Sequence, residues 1–229
     1  MTKLFILHGW TYQTATWDAV RRLLDERGID YEFLKIPGLT DGTNPTWTLE
    51  DYVAWLTERT AAYDKVILLG HSNGGRISLA YAAKYPEKVA RLILEDSAGI
   101  QPRGFRLLKK NFFKKLSLTG RVFPHSELAR KLFYKFIREN DYGKATPEMK
   151  KTLSNLAAEN LALILDKIKA PTLIIWGGLD KTTPLQNGKL MHAGILGSRM
   201  VVIPDARHSP HKTHPELIAN LIEAEIKAL

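Results

Sequence analysis

The sequence predicts an α/β fold: an open, mostly parallel sheet flanked by helices, with a helical cap inserted between the strand near 92–95 and the strand near 172–176. Three observations predict it. Short, near-continuously apolar runs recur along the chain, as expected of strands covered on both faces. Segments with helical spacing separate these runs, which is the alternation of a doubly wound sheet. After Glu95 the alternation stops for about 70 residues, and amphipathic helix patterns replace it.

In chain order the strand runs are Leu4–Leu7, Tyr31–Ile36, Val66–Leu69, Leu92–Leu94, Thr172–Trp176 and Met200–Ile203. Between the second and third, Leu49, Tyr52, Val53 and Leu56 fall at i, i+3, i+4 and i+7, with Thr48 placed as N-cap. Within the insert, Phe105, Leu108, Phe112, Phe113 and Leu116 make one apolar stripe, with Lys109, Lys110, Lys114 and Lys115 largely off it. Leu128, Leu132, Phe133, Phe136 and Ile137 make another. Thr146-Pro147-Glu148 reads as a helix start, with threonine as cap and proline in the first turn. From Pro215 to Leu229 the helical pattern returns with Leu217, Ile218, Leu221, Ile222 and Ile226. Residues 1–99 and 169–229 are therefore expected to form the core domain, and 100–168 the cap.

A chain of 229 residues suffices for one large domain with a modest insert. Hydrophobic residues at 45% and charged residues at 25% argue against disorder and against a fibre. The absence of cysteine excludes a disulfide framework, a thiolate metal site and a cysteine nucleophile. Apolar runs of four to six residues are far short of a membrane span, and no signal pattern opens the chain. The expectation is a cytoplasmic protein that is not integral to a membrane. The net charge is +9, and residues 101–168 carry 15 Lys+Arg against 6 Asp+Glu, while the remainder balances at 18 of each. Such asymmetry suggests a separate unit and an anionic or acidic partner. Nucleic acid is not expected as that partner, because the aromatics of the basic segment lie in packing stripes and no nucleic-acid-binding motif is present.

The chemistry concentrates at four points. Val66 to Leu69 leads into Gly70-His71-Ser72-Asn73-Gly74-Gly75 and then a helical pattern through Leu79 and Ala83. A Gly-x-Ser-x-Gly between strand and helix makes a sharp turn that leaves one hydroxyl exposed at the sheet edge, and small flanking residues let the helix pack close. His8-Gly9-Trp10 ends the first strand run, where backbone N–H groups are available to a developing oxyanion. Trp176-Gly177-Gly178-Leu179-Asp180 ends the fifth and puts a carboxylate on a loop, and His208 follows the last. The chain order Ser, Asp, His is one of the known orders of the catalytic triad.

On these motifs the chain resembles the α/β-hydrolase superfamily over essentially its whole length, and looks closest to small capped serine hydrolases of the carboxylesterase type. The resemblance implies Ser72 as nucleophile, His208 as general base and acid, and Asp180 as the group that orients His208. It implies the backbone N–H groups of Trp10 and Asn73 as the oxyanion hole, and a cap after the fourth strand run. No metal and no organic cofactor is implied. Two features depart from the family pattern: the chain starts directly at the strand leading to His8, and Arg207 stands where glycine is common.

Each role has a competitor. Asp96, after the strand preceding the cap, is the rival acid; His214 is a rival base. His208, His211 and His214 share a spacing open to a metal, but no carboxylate-rich motif accompanies them. His71 reads as a packing residue and His8 as a hydrogen-bonder that shapes the oxyanion loop, while Tyr12, Trp17 and Trp47 are open to lining a pocket or to core or surface packing. The expected activity is hydrolysis of a small-molecule carboxylic ester, with an anionic substrate or an acidic carrier protein drawn to the cap. Lactone hydrolysis, carbon–carbon cleavage of dienoates, carrier-protein methyl ester hydrolysis and a ligand receptor with little turnover share the same machinery.

Overall fold

The computed structural model describes residues 2–100 and 145–229. Among them, β1 (Lys3–Leu7), β2 (Tyr31–Phe33), β3 (Val66–His71), β4 (Val89–Glu95), β5 (Thr172–Gly177) and β6 (Arg199–Ile203) form one sheet in the order β2-β1-β3-β4-β5-β6. Every pairing is parallel. The described helices are α1 (Asp18–Glu26), α2 (Leu49–Arg59), α3 (Asn73–Lys84), α4 (Pro147–Ala158), α5 (Leu185–Gly194), α6 (Pro210–Thr213) and α7 (Pro215–Lys227).

The apolar strand runs are continuous because each strand feeds two cores by turns. Phe5, Leu7, Leu68, Leu92, Leu94, Ile174 and Trp176 join one core with residues of α2, α3 and α5. Leu4, Ile6, Ile67, Leu69, Ile93, Leu173 and Ile175 join the other with residues of α1 and α7. Period-two alternation thus reads as an unbroken run when both faces are covered.

Local signals set the helix starts. Thr48 caps α2 by accepting from the Asp51 N–H, while the Asp51 carboxylate accepts from the Thr48 N–H, a reciprocal capping box. Thr146 caps α4 by accepting from the Met149 N–H, with Pro147 in the first turn. Three details differ from the expected pattern. The second strand stops at Phe33 rather than Ile36, since the Ile36 N–H turns to the Thr40 hydroxyl ahead of Pro37. β6 is an edge strand, so Val202 is exposed rather than covered. In α7 the buried face is Ile218, Ala219, Ile222 and Glu225; Leu217 lies outside it.

The described end of the insert is continuous with the sheet's core. Met149, Leu156, Leu161 and Leu165 join the cluster that holds Leu68 and Leu92. Thr152 bridges the Trp47 N–H and the Pro45 carbonyl, and the Leu161 N–H donates to Gly99. The two apolar stripes at 105–116 and 128–137, and the lysines beside the first, lie outside the described residues. No helix among the described residues is long and apolar enough to cross a membrane.

The sheet order reverses direction between β1 and β3, the topological switch point at whose carboxyl edge open α/β sheets place their sites. His8, Ser72, Asp96, Asp180 and His208 all lie on loops or turns at that edge of the sheet.

Candidate active site

Ser72 joins β3 to α3 with φ 50° and ψ −113°, a left-handed-side conformation that a non-glycine residue holds only under constraint. The constraint is packing on both sides. A Cβ on Gly70 would lie 2.6 Å from the Gly74 carbonyl oxygen, and a Cβ on Gly74 would lie 2.1 Å from that of Leu7. Any larger residue at either position would push α3 away from the sheet. The Ser72 N–H donates to Glu95, and its carbonyl accepts from Ala98 and Arg76, which pins the turn to β4 and α3.

His208 Nε2 lies 3.0 Å from Ser72 Oγ, and Nδ1 lies 2.8 Å from Asp180 Oδ2. A carboxylate has only lone pairs to offer, so Nδ1 carries the proton and Nε2 accepts from the serine hydroxyl. Asp180 is buried, and its Oδ1 accepts the N–H groups of Thr182 and Thr183 at 2.7 and 3.1 Å. Thr183 Oγ1 lies 2.7 Å from Asp180 Oδ2 and 3.0 Å from the Asp96 carbonyl oxygen, so its single hydrogen is shared between two acceptors. The acid loop is tied to the histidine loop by Gly178 N–H to Ile203 and Leu179 N–H to Ala206. Trp176 anchors it from below, its indole N–H donating to the Thr183 carbonyl.

Trp10 and Asn73 flank the serine. Asn73 is the first residue of α3, so its N–H has no acceptor within the helix and points along the positive end of the helix dipole. A Cβ on Gly9 would lie 3.2 Å from Ser72 Cβ, which brings the backbone entering Trp10 directly against the turn.

The other sequence candidates find different partners. His8 donates from Nδ1 to the Gly9 carbonyl and accepts the Thr40 hydroxyl at Nε2; burial lowers its pKa to about 4, so it is a neutral loop-shaping group. His71 is buried, donates to the His208 carbonyl at 3.0 Å, and is kept neutral by burial first and then by His211 and His208. His211 binds Glu95 and stacks on Trp17 at 3.9 Å; His214 faces Asp205. The three C-terminal histidines are therefore not gathered on one point. The one group with metal-ligand proximity among the described residues is His71, Asp96 and His208, and both His208 nitrogens there are taken by Asp180 and Ser72. Arg207 keeps an ordinary negative φ and an exposed side chain, so the loop needs no glycine there. Tyr12 and Trp47 pack against the core, and Trp17 lies within it.

Thr183 is the neighbour of Asp180 and His208 that no sequence motif singles out. Its signal is the run Asp180-Lys181-Thr182-Thr183, in which an aspartate can accept backbone N–H groups two and three residues on.

The comparisons agree with this architecture. The chain is 27% identical over 241 residues to the pimeloyl-[acyl-carrier protein] methyl ester esterase of Aeromonas hydrophila, covering 96% of this chain and 93% of that one. It is 29% identical over 251 residues to the protein of the same description from Neisseria meningitidis serogroup C, covering 96% and 91%. In fold it is similar to an esterase from Exiguobacterium antarcticum, with a TM-score of 0.75 at 23% identity over 99% of this chain and 92% of that one. The enol-lactonase from Burkholderia xenovorans LB400 superposes with a TM-score of 0.72 at 16% identity, over 99% and 91%. The alpha/beta hydrolase family model matches residues 4–221, from β1 into α7 and across the serine turn, the acid loop and the histidine loop; the chain belongs to that family.

Proposed function

We propose that this protein is a serine hydrolase of carboxylic esters, with Ser72 as nucleophile, His208 as base and acid, and Asp180 as the orienting group. The observation that carries the reading is the unbroken hydrogen-bond chain Asp180–His208–Ser72 at 2.8 and 3.0 Å. Ser72 Oγ attacks the ester carbonyl as His208 Nε2 takes its proton. The tetrahedral oxyanion sits between the N–H groups of Trp10 and Asn73. His208 then gives the proton to the departing alkoxide, leaving an acyl-serine. Water, deprotonated by His208, attacks the acyl carbon; the carboxylic acid leaves and Ser72 recovers its proton.

The substrate class favoured is a methyl or other small-alcohol ester of a carboxylic acid borne on an acidic carrier. Two observations support it: relatives described as pimeloyl-[acyl-carrier protein] methyl ester esterases, and the excess of nine positive charges in 101–168. A clustered positive field speeds encounter with an acidic partner and is screened over about 8 Å at 0.15 M salt. The test is kcat/KM for one methyl ester presented free and on an acidic carrier protein, at low and high salt. The reading expects preference for the carrier-borne ester that falls with salt and falls again when Lys109, Lys110, Lys114 and Lys115 become glutamine. Equal rates and equal salt responses would leave the esterase reading and remove the carrier.

A further inference from the structure

Asp96 is the buried acid that this mechanism leaves unused. It follows β4 with φ 43°, and it and Ser72 are the two non-glycine residues with positive φ among those described. Such conformations cluster where a function constrains the backbone. Its N–H donates to the Ile175 carbonyl, its carbonyl accepts from Thr183, and its Oδ1 accepts the Gly177 N–H at 2.8 Å. These three bonds fix the carboxyl group between β4 and β5. Oδ2 is buried and has no donor. Asp180 is its acidic neighbour: Thr183 Oγ1 reaches both the Asp96 carbonyl and Asp180 Oδ2, and an Asp96 carboxyl oxygen lies within 4.8 Å of a ring nitrogen of His208, the histidine that Asp180 binds.

Two carboxylates cannot meet in a dry site without a proton between them. Asp180 is supplied with donors on both oxygens: two backbone N–H groups, the Thr183 hydroxyl and His208 Nδ1. Asp96 is supplied on Oδ1 alone. We infer that Asp96 is a positioning residue whose Oδ2 carries the shared proton and donates it to Asp180, so that one negative charge, fixed in place, stands behind His208. This rests on the reading of Asp180 as the group that orients His208.

The charged and titratable groups around Asp96 agree with that division. Asp180 faces it from the loop after β5, Glu95 precedes it on β4, and His71 and His208 approach it from the ends of β3 and β6. Burial first, then Asp180 and Glu95, push its pKa up to about 9. A carboxylic acid kept neutral so that it can donate a hydrogen bond is a known device of apolar sites. Above that range Asp96 ionises and its proton goes to solvent; the hydrogen bond to Asp180 is lost, the two carboxylates repel each other in a dry site, and Asp180 is displaced from the position that orients His208. On this inference the alkaline limit of the reaction lies in Asp96.

The experiment compares wild type with Asp96→Asn and Asp96→Leu on a simple ester from pH 6 to 10. Asparagine presents an N–H toward Asp180 and cannot ionise; leucine fills similar space and donates nothing. At pH 7 the leucine variant should lose about 10- to 100-fold in kcat with KM little changed, the usual effect of removing a group that orients a reacting one, while asparagine restores most of that loss. The wild-type rate should fall above pH 9, and the asparagine variant should lack that limb. Carboxyl carbon resonances of protein labelled in aspartate provide a readout independent of turnover: one signal, absent from Asp96→Asn, should titrate far above the ordinary aspartate range. Asparagine and leucine variants equally impaired, an alkaline limb retained in Asp96→Asn, or an Asp96 carbon titrating near 4 would each overturn the inference. If the leucine variant fails to fold, the pH profile of the asparagine variant and the carbon titration still decide. Loss of the esterase reading itself appears separately, as a wild-type protein whose Ser72 does not react with a fluorophosphonate.

Discussion

His208 Nδ1 stands 2.8 Å from Asp180 Oδ2, while the other oxygen of that carboxylate is held by the N–H groups of Thr182 and Thr183. Asp180 is thus fixed by its own loop before it meets the histidine, and the ring orientation follows from it. Replacing Asp180 with asparagine keeps the shape but offers an amide N–H to a nitrogen that must itself donate, which favours the wrong tautomer. The expected loss is about 10⁴-fold in kcat with the fold intact. Steady-state kinetics beside circular dichroism check it, and a loss under tenfold would show that the acid lies elsewhere.

The serine turn makes a prediction about stability. A methyl group on Gly74 would meet the Leu7 carbonyl oxygen at 2.1 Å, whereas one on Gly28, at φ 66°, would meet nothing within 4 Å. Gly74→Ala should cost at least ~3 kcal/mol, as overpacking against rigid backbone does at its upper end, while Gly28→Ala should cost about 1 kcal/mol for its left-handed backbone alone. Denaturant midpoints of the two variants give the comparison. Similar costs would mean that α3 can slide from the sheet at little expense.

Much of this turn was legible in the sequence, because Gly70, Ser72 and Gly74 each answer a local steric demand. The six strands were legible for a similar reason: their apolar runs report two covered faces, as Leu68 and Leu69 show by entering opposite cores. What local pattern cannot carry is the choice of partner across the sheet. Asp96 and Asp180 are equally acidic in sequence; the pairing of β4 with β5 brings their loops side by side, and the pairing of β5 with β6 sets Asp180 against His208. His211 stands out in the sequence only as one of three histidines at a spacing open to a metal, yet it is buried because Glu95 and Trp17 converge on it from β4 and from the turn before α1.

His211 accordingly matters for stability more than for chemistry. Glu95 accepts both its backbone N–H at 2.7 Å and its ring Nδ1 at 3.0 Å, with both side chains buried. His211→Ala leaves that carboxylate without its ring partner and should destabilise the fold by about 3 kcal/mol. Turnover per folded molecule should change by no more than a few fold, since His208 keeps its own partners. Urea titration and active-site titration separate the two effects; a stable but inactive variant would give His211 a chemical role.

The pH dependence of stability follows from groups buried in one charge state. His8, lowered to about 4 by burial, stays neutral in the fold while the unfolded chain takes up a proton below about 6.5. His71 is shifted the same way, for the same first cause. The unfolded state then binds more protons, so this contribution is complete above pH 6.5 and is lost as pH falls toward 4. Asp96 is shifted upward, so the folded state binds the extra proton. Its contribution is complete below the ordinary aspartate range and is lost as pH rises toward about 9. Unfolding free energies across pH 4 to 9.5 should form a dome, with the acid flank softened in His8→Gln and the alkaline flank softened in Asp96→Asn. A wild-type curve that is flat at both ends would contradict these assignments.

The proposed chemistry requires Ser72 to be a nucleophile activated by His208. Mass spectrometry of the intact protein after exposure to a fluorophosphonate tests it most directly, with peptide mapping to locate the adduct. Wild type should carry a single adduct on Ser72, Ser72→Ala should carry none, and labelling should slow by orders of magnitude in His208→Ala. An unlabelled wild-type protein, or an adduct that persists in Ser72→Ala, would contradict it.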